Sequence, residues 1–443
     1  MKSVSRWLAP WLDRLREVAL AHWLAAFCLA ALAFGVQAIP STDTPKQPAD
    51  AHWVASWAVA PLDFREMAAS PNGASYLLPT GTDLRGQTLR QQVELSLDGE
   101  RIRIRFSNRF GKTPLRIAAA SAGRGTGADA FSPTTLRMLR FGGASSLTIA
   151  PGADAWSDGV DLPVQAGQTV VVSAFFDRAT PFSTVSMPES GTTWVAAGNA
   201  VSAPKLKNPT PMVLNQIMTG LDVLTTKPVR TVVAFGDSIT AGTSEGTFGA
   251  YPDMLATRLR DTQPAGQDVA VLNAGIGGNR LLTDGLGPSG LSRFELDALR
   301  QSSVTHAIVL LGTNDIGRTV FARVPGAELT ARDWPTAERI TQGLQQLIKQ
   351  ARAKGVKVLL GTVPPFKNTP YWNGANEALR EDVNRWIRGR QDIDGVVDFD
   401  AALRDPADPQ ALNPLFDSGD HLHPNKAGHA AMAAAVDLRE LLE

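Results

Sequence analysis

This 443-residue sequence has little cysteine, no excess of either charge and few long apolar runs. The single cysteine, Cys28, lies close to the N-terminus, so the rest of the chain contains no thiol and cannot form a disulfide. Basic and acidic residues number 43 each, and a chain without net charge has no field that would draw it to a nucleic acid. The composition therefore argues against a disulfide framework and against a nucleic-acid partner.

The N-terminus has the pattern of a secretory signal. Its basic residues are Lys2, Arg6, Arg14 and Arg16. An uncharged apolar run follows over residues 23–36, and Ala38 offers a small residue for cleavage. We predict a signal peptide over residues 1–38, a secreted or periplasmic protein and no stable membrane span after cleavage. A retained anchor is the alternative, but about 14 apolar residues are short for a span of about 20.

Two kinds of pattern follow a polar, proline-containing linker over residues 39–50. In residues 51–226, short apolar runs alternate with polar residues, and Asp98-Gly99 predicts a tight turn between two such runs. We therefore predict an antiparallel β-sandwich domain, jelly-roll-like, over this segment. Three arginines alternate with its buried positions: Arg101, Arg103 and Arg105. They predict a solvated sheet face, with a site for an acidic glycan as the alternative.

Residues 227–443 alternate between strand-like and helical runs. The strand-like runs lie at 231–235, 269–272, 307–311, 356–363 and 396–399. They are continuously apolar or nearly so, and a strand buried on both faces is typical of a parallel sheet covered by helices. Residues 336–354 have apolar residues at helical spacing on one face, which predicts a helix, and Gly355 is placed to end it. We predict an α/β domain with a parallel sheet in a three-layer αβα arrangement, whose ligand lies beyond the carboxyl ends of the strands.

Three of the loops after these strands carry groups suited to acyl transfer. Ser238 follows the first strand in Gly236-Asp237-Ser238, where its hydroxyl would lie at the sheet edge and its N–H would be free. Gly278, after the second strand, can present an N–H to the same edge, and Asn314, after the third, can present an amide NH₂. The alternative for each loop is an ordinary turn or helix cap without function, because serine, glycine and asparagine favour such positions.

The last loop, residues 417–424, supplies a base and an acid. Asp420 and His423 are three residues apart, so one turn can place the carboxylate on Nδ1 of the imidazole while Nε2 points outward. A metal site built from Asp420, His421, His423 and His429 is the alternative. The spacing of these residues fits a metal poorly, since no cysteine and no HExxH helix accompanies them.

These four blocks, in this order, resemble the SGNH or GDSL hydrolase superfamily over residues 229–443. The resemblance implies a flavodoxin-like fold and a catalytic triad of Ser238, Asp420 and His423. It also implies an oxyanion hole made by Ser238, Gly278 and Asn314. The preceding β-rich segment is similar to the domain found before this catalytic domain in some secreted bacterial members. One departure is Ala241, where many relatives have an acidic residue.

The expected activity is hydrolysis of a carboxylic ester through an acyl-enzyme, with no cofactor and no metal. The expected partner is a small-molecule or polysaccharide ester, with substrate-binding residues unassigned. Three aromatic residues favour short acetyl esters on carbohydrate: Phe366, Tyr371 and Trp372. A lipid ester, as for a lipase or lysophospholipase, is the rival substrate. A glycan-binding protein without catalysis is the alternative of another class, which the complete set of Ser, Gly, Asn, Asp and His disfavours.

Overall fold

The computed structural model describes residues 50–69, 83–243, 245, 246, 248–262, 266–321 and 334–442. From Asp50 onward the chain forms one compact unit. The predicted signal peptide lies outside the described residues, and so does the predicted linker up to residue 49. Every helix of the described ranges is too short or too polar to cross a bilayer.

The first half of the described chain is built from antiparallel strands. They are β1 (His52–Ala58), β2 (Leu62–Asp63), β3 (Gln87–Glu94), β4 (Gly99–Ser107), β5 (Leu115–Ile117), β6 (Ala119–Gly127), β7 (Ala130–Phe131), β8 (Arg137–Met138), β9 (Leu147–Ile149), β10 (Asp154–Trp156), β11 (Val160–Val164), β12 (Thr169–Phe176), β13 (Thr184–Ser186), β14 (Thr192–Ala197), β15 (Thr210–Met212), β16 (Asn215–Gln216) and β17 (Met218–Thr225). One sheet has the order β1-β17-β4-β10, with β11 beside β4. A second has the order β15-β14-β3-β12-β6-β7, with β8 beside β6, and two smaller sheets are β16-β13-β2 and β5-β9.

The predicted tight turn at Asp98-Gly99 lies between two strands that do not pair with each other. The strand before the turn, β3, pairs with β12 and β14, whereas the strand after it, β4, pairs with β17, β10 and β11. The turn therefore carries the chain from one sheet to another. Alternation of apolar residues identifies the buried face of a strand, but it does not say which strand lies alongside.

The arginines of β4 do not form the predicted solvated face. Arg103 donates to Oδ2 of Asp222 at 2.6 Å, and the side chain of Asp222 is 1% exposed. Arg105 is buried and donates to the carbonyl oxygen of Thr219 at 2.8 Å and to Oε1 of Gln301 at 3.2 Å. A buried guanidinium needs acceptors, and these partners supply them. The prediction of a solvated sheet face is therefore wrong for Arg103 and Arg105, and so is the alternative of a glycan site formed by them.

A five-stranded sheet forms the second half. Its strands are β18 (Val229–Gly236), β19 (Asp268–Gly275), β20 (Val304–Leu310), β21 (Lys357–Gly361) and β22 (Gly395–Val397), in the order β19-β18-β20-β21-β22. All four neighbouring pairs are parallel. The carboxyl ends of β18, β19 and β20 consequently meet at one edge. The finer predictions, a flavodoxin-like fold and a jelly-roll-like sandwich divided at residue 226, stay predictions.

Helices cover both faces of this sheet, and the first helix of the described chain packs against β2 in the antiparallel part instead. The helices are α1 (Phe64–Ala68), α2 (Ser238–Ala241), α3 (Tyr251–Thr262), α4 (Gly290–Phe294), α5 (Thr313–Gly317), α6 (Ala337–Arg352), α7 (Gly374–Arg388), α8 (Phe399–Leu403), α9 (Lys426–Ala435) and α10 (Leu438–Leu442). Short 3₁₀ and π turns add Pro133–Thr135, Pro188–Ser190, Glu295–Leu299 and Arg318–Phe321. Alternate residues of β18 enter different cores: Phe235 lies in the cluster that contains Leu344 of α6, and Ala234 in the one that contains Leu255 of α3.

The antiparallel and parallel parts share one apolar cluster. Leu62 of β2 and Val185 of β13 belong to the same buried cluster as Phe235 of β18 and Ile276, which follows β19. Hydrogen bonds join the two parts as well, since Ser96 donates from Oγ to the carbonyl oxygen of Val271 at 2.9 Å. The loops at the carboxyl edge of the parallel sheet are therefore packed against the antiparallel part.

Candidate active site

Ser238 lies at the start of α2, directly after β18. Asp237 caps this helix, accepting the N–H of Ile239 on Oδ1 at 3.0 Å, and Gly242 ends it in the left-handed region at φ 94°. Gly236 is needed for the close approach of β20, because a Cβ there would lie 2.7 Å from the carbonyl oxygen of Leu310. The N–H of Ser238 has no acceptor inside the helix, since it belongs to the first turn.

The structure brings Ser238, His423 and Asp420 together. Oγ of Ser238 lies 2.8 Å from Nε2 of His423, and Nδ1 of the same ring lies 2.6 Å from Oδ2 of Asp420. The serine is 8% exposed, and the imidazole side chain is 14% exposed. This is the geometry in which a hydroxyl can pass its proton to an imidazole while a carboxylate fixes the ring tautomer.

The carboxylate of Asp420 is held in its ionised form. Its Oδ1 accepts the N–H of His423 at 2.8 Å and the N–H of Leu422 at 2.9 Å. Partial burial opposes ionisation, but the hydrogen bonds from the ring and the two N–H groups prevail and lower the pKa of Asp420 to about 2. An anion beside Nδ1 is therefore present throughout the neutral range.

A second Asp–His pair in the same loop points elsewhere. Nδ1 of His421 lies 2.6 Å from Oδ2 of Asp417, and Oδ1 of Asp417 accepts the N–H of Gly419 at 2.8 Å. His429 is buried in α9, where its Nδ1 accepts the N–H of Tyr251 at 3.2 Å. The histidines of the alternative metal site thus have separate partners. Across the described ranges, no three His, Cys, Asp or Glu side chains lie close enough to hold a metal ion.

Gly278 and Asn314 belong to the loops after β19 and β20, which meet near the turn that contains Ser238. Nδ2 of Asn314 donates to Oδ2 of Asp237 at 3.2 Å and to the carbonyl oxygen of Asn279 at 3.1 Å. Both amide hydrogens therefore have acceptors, and a substrate oxygen would have to replace or share one of them. Gly278 follows β19 at φ 68°, a backbone conformation that favours glycine. The N–H of Ile276, two residues earlier, donates to the carbonyl oxygen of Gly236 at 3.1 Å and ties this loop to the serine turn.

Arg293 lies beneath the site and was not found from the sequence. Its Nη2 donates to the carbonyl oxygen of Gly236 at 2.7 Å and its Nη1 to that of Ala274 at 2.9 Å, while Nε donates to Oδ1 of Asn279 at 2.9 Å. The side chain is 0% exposed and its guanidinium lies 3.9 Å from the ring centroid of Phe235. One cation therefore joins the ends of two strands to the loop that follows β19. No sequence signal marked it, because an arginine in a short helix is usually exposed.

Asp315 fixes the same loop from the other side. Its carboxylate accepts the N–H of Leu281 at 2.7 Å and the N–H of Leu282 at 3.0 Å. Burial raises the pKa of Asp315 to about 6, although both hydrogen bonds oppose the shift. The residue that follows Asn314 thus positions the chain that follows Gly278.

The match to a family model covers the residues that form this site. Residues 234–431 match the model of the GDSL-like Lipase/Acylhydrolase family. No curated protein matches the chain. A GDSL-like lipase from Bacteroides thetaiotaomicron is similar in structure, with 21% identity, a TM-score of 0.35 and coverage of 48% of this chain and 87% of the other. An acetylxylan esterase from Geobacillus stearothermophilus is similar at 22% identity and a TM-score of 0.35, covering 48% and 93%.

Proposed function

Residues 234–431 of this chain form a domain of the GDSL-like lipase/acylhydrolase family, and on that premise we propose that the protein hydrolyses carboxylic esters with Ser238 as nucleophile. The observation that carries the proposal is the pair of distances at His423, 2.8 Å to Oγ of Ser238 and 2.6 Å to Oδ2 of Asp420. A binding protein has no use for a nucleophile, a base and an acid aligned in this way.

Acylation begins when Oγ of Ser238 attacks the carbonyl carbon of the ester. Nε2 of His423 accepts the hydroxyl proton, and the carbonyl oxygen becomes an oxyanion. As the intermediate collapses, Nε2 returns the proton to the leaving oxygen, and the alcohol departs. The acyl group remains on Oγ of Ser238 as an ester.

Deacylation repeats these steps with water. Nε2 of His423 takes a proton from the water as its oxygen attacks the acyl carbonyl, and then gives the proton to Oγ of Ser238. Asp420 keeps its charge in both halves because its pKa is about 2, so it stabilises the imidazolium without taking the proton. The products are a carboxylic acid, an alcohol and the original enzyme.

The oxyanion is assigned to the N–H groups of Ser238 and Gly278 and to the amide of Asn314. Tyr371 supports this assignment, because its hydroxyl donates to Oδ1 of Asn314 at 3.3 Å and leaves the NH₂ group facing Asp237 and Asn279. Losing one such donor typically costs about 10²- to 10³-fold in kcat. Asn314→Ala is expected to fall in that range.

Labelling with a fluorophosphonate followed by peptide mapping tests the nucleophile. The expected result is an adduct on the peptide that contains Ser238, together with loss of both label and ester hydrolysis in Ser238→Ala. An adduct elsewhere, or hydrolysis that survives the substitution, would overturn the assignment. If wild type and variant both bind glycan and neither hydrolyses an ester, the protein is a binder instead.

For the substrate we propose short acetyl esters on carbohydrate. Tyr371 contacts Asn314, and the next residue in the sequence, Trp372, carries an indole that is 36% exposed. An exposed indole ring is suited to packing against the apolar face of a sugar. Phe366 is 0% exposed and belongs to the core, so the predicted set of three aromatics is reduced to two.

Trp372→Ala tests the carbohydrate. It is expected to raise KM for an acetylated xylan severalfold while leaving hydrolysis of p-nitrophenyl acetate little changed, because the small ester does not reach the indole. Trp386→Ala is the matched control. Trp372 lies just before the start of α7, whereas Trp386 lies about 18 Å along the helix from that start. Faster turnover of a lysophospholipid than of any acetylated glycan by wild type would favour the lipid alternative.

Secretion is proposed from residues 1–38 alone. Expression of the full chain in a Gram-negative host, followed by N-terminal mass determination of the exported protein, is expected to find Ile39 as the first residue. A full-length protein that stays in the membrane fraction would favour the anchor.

A further inference from the structure

A short segment of the antiparallel part lies between two loops of the candidate active site. It is residues 187–190, which lie between β13 and β14 and include the 3₁₀ turn Pro188–Ser190. Met187 contacts the oxyanion loop: a Cβ placed on Gly277 would lie 3.0 Å from its terminal methyl group. Glu189 contacts the loop after α2, because its carbonyl oxygen accepts the N–H of Phe248 at 3.2 Å.

The loop that Glu189 contacts continues directly from the nucleophile. The N–H of Thr243 donates to the carbonyl oxygen of Ser238 at 3.1 Å, and Oγ1 of Thr243 lies 3.5 Å from Oε1 of Glu189. Gly277 immediately precedes the proposed oxyanion donor Gly278. The segment therefore touches both the nucleophile loop and the oxyanion loop.

Buried polar contacts fix the position of Met187. Asn215 donates from Nδ2 to the carbonyl oxygen of Met187 at 2.8 Å, and its Oδ1 accepts the hydroxyl of Thr193 at 2.6 Å. Asn215 and Thr193 are each 1% exposed. A buried amide with both ends satisfied holds its partners in one geometry, so the backbone at Met187 is fixed while its side chain remains half-buried.

We propose that Met187 limits the length of the acyl group that the site accepts. The inference rests on the proposed function. In an ester bound for attack, the leaving alcohol lies next to His423, which must protonate it, so the acyl group occupies the other side of the carbonyl. Met187 borders the loop of the oxyanion donor, and its flexible thioether is an apolar wall suited to a short alkyl chain.

Selectivity between two esters of one alcohol tests the proposal. The readout is the ratio of kcat/KM for p-nitrophenyl octanoate to that for p-nitrophenyl acetate. Met187→Ala opens the wall, and the ratio is expected to rise roughly tenfold or more, since a single methylene group in an apolar pocket is worth about 10- to 200-fold. Met187→Leu keeps the bulk and is expected to keep the wild-type ratio. Met138→Ala is the control, because Met138 is an exposed methionine of β8.

Gly277→Ala gives an opposite test that leaves Met187 in place. The added methyl group would press on the end of the methionine side chain, so the ratio is expected to fall, and Met187→Ala in the same chain should restore it. A ratio for Met187→Ala within twofold of wild type would overturn the inference. The inference would also be overturned if Met187→Ala changed the relative kcat/KM values for acetates of different alcohols but not the octanoate-to-acetate ratio.

Failure of the proposed function has a different signature. In that case wild type would hydrolyse neither ester and Ser238 would take no fluorophosphonate label. A folded Met187→Ala protein that labels at Ser238 and keeps the wild-type ratio would instead leave the esterase intact and remove only the role of Met187.

Discussion

The carboxylate of Asp237 accepts a 3.2 Å hydrogen bond from the side-chain amide of Asn314, which joins the residue before the proposed nucleophile to a proposed oxyanion donor. The other oxygen of Asp237 accepts the N–H of Ile239 at 3.0 Å and caps the helix that begins with Ser238. Burial raises the pKa of Asp237 to about 7, although the bond from Ile239 opposes the shift. A single buried carboxyl group thus orients the start of α2 and the amide of Asn314.

Asp237→Asn is expected to lower kcat/KM roughly 10- to 100-fold with the fold retained. The new side chain can still cap α2 with its oxygen, but its NH₂ group then faces the NH₂ group of Asn314 and turns that donor away from its place. Steady-state kinetics and a thermal melt measure the two effects. Asp253→Asn is the control: Asp253, in the first turn of α3, accepts the N–H of Ala250 at 3.0 Å and is not among the residues proposed to act on the ester, so an equal loss there would refute the explanation.

The two Asp–His pairs of the loop 417–424 form a matched pair of test sites. His423→Ala is expected to lower kcat by about 10³- to 10⁴-fold or more, because it removes the proposed base that contacts Ser238. His421→Ala removes a ring that is 47% exposed and pairs with Asp417, so kcat should stay within a few-fold of wild type. Kinetics on p-nitrophenyl acetate measure both variants. The reverse order of effects would assign the base to His421.

Arg293→Met is expected to lower the free energy of unfolding by about 3–5 kcal/mol, since it leaves Asp297 and three acceptors near the site without their buried cation. Arg109 still pairs with Asp297 at 2.6 Å, which favours the lower end of that range. Arg300→Ala is the control, because Arg300 is 63% exposed and its pair with Glu295 is expected to contribute about 0–1 kcal/mol. Urea unfolding measures the difference, and equal losses would contradict a structural role for the buried ion pair.

His429 predicts a pH effect on stability. Burial lowers the pKa of its imidazole to about 4, with the charge of His423 acting in the same direction. The unfolded chain therefore binds a proton that the folded chain does not, and stability present above about pH 6.5 is lost as the pH falls toward 4. In His429→Gln the free energy of unfolding should fall less steeply over this window, by up to about 1.4 kcal/mol per pH unit. Parallel curves for the two proteins would contradict the buried neutral ring.

The strands and their order along the chain were accessible from the sequence, whereas their partners were not. The apolar runs predicted at 231–235 and 269–272 lie within β18 and β19, and the predicted helix 336–354 is α6, where Oγ1 of Thr336 accepts the N–H of Arg339. These features depend on local periodicity and capping. The run at 396–399 ends sooner, because Phe399 begins α8. Pairing in the antiparallel part depends on contacts between distant residues, so the turn at Asp98-Gly99 did not indicate which strands pair.

The same contrast holds for the site. Ser238 and Asn314 could be located because each follows a parallel strand, and such strands end at one edge. Asp420 and His423 could be paired because three residues span one turn. Arg293 and Met187 could not be located, since the residues that they contact near the site lie far from them in the sequence. Gly277, for example, is 90 residues from Met187. Whether a side chain is buried beside a loop is a property of packing that no local pattern reports.

The apolar cluster that runs from Leu62 and Val185 into Phe235 and Ile276 limits how this enzyme can be re-engineered. A chimera that transplanted residues 227–443 alone would lose β2 and β13, and the loop bearing Gly278 would be left uncovered in water. Such a chimera would need to include the preceding strands as well, because the unit that can be transferred is the whole segment from His52 onward.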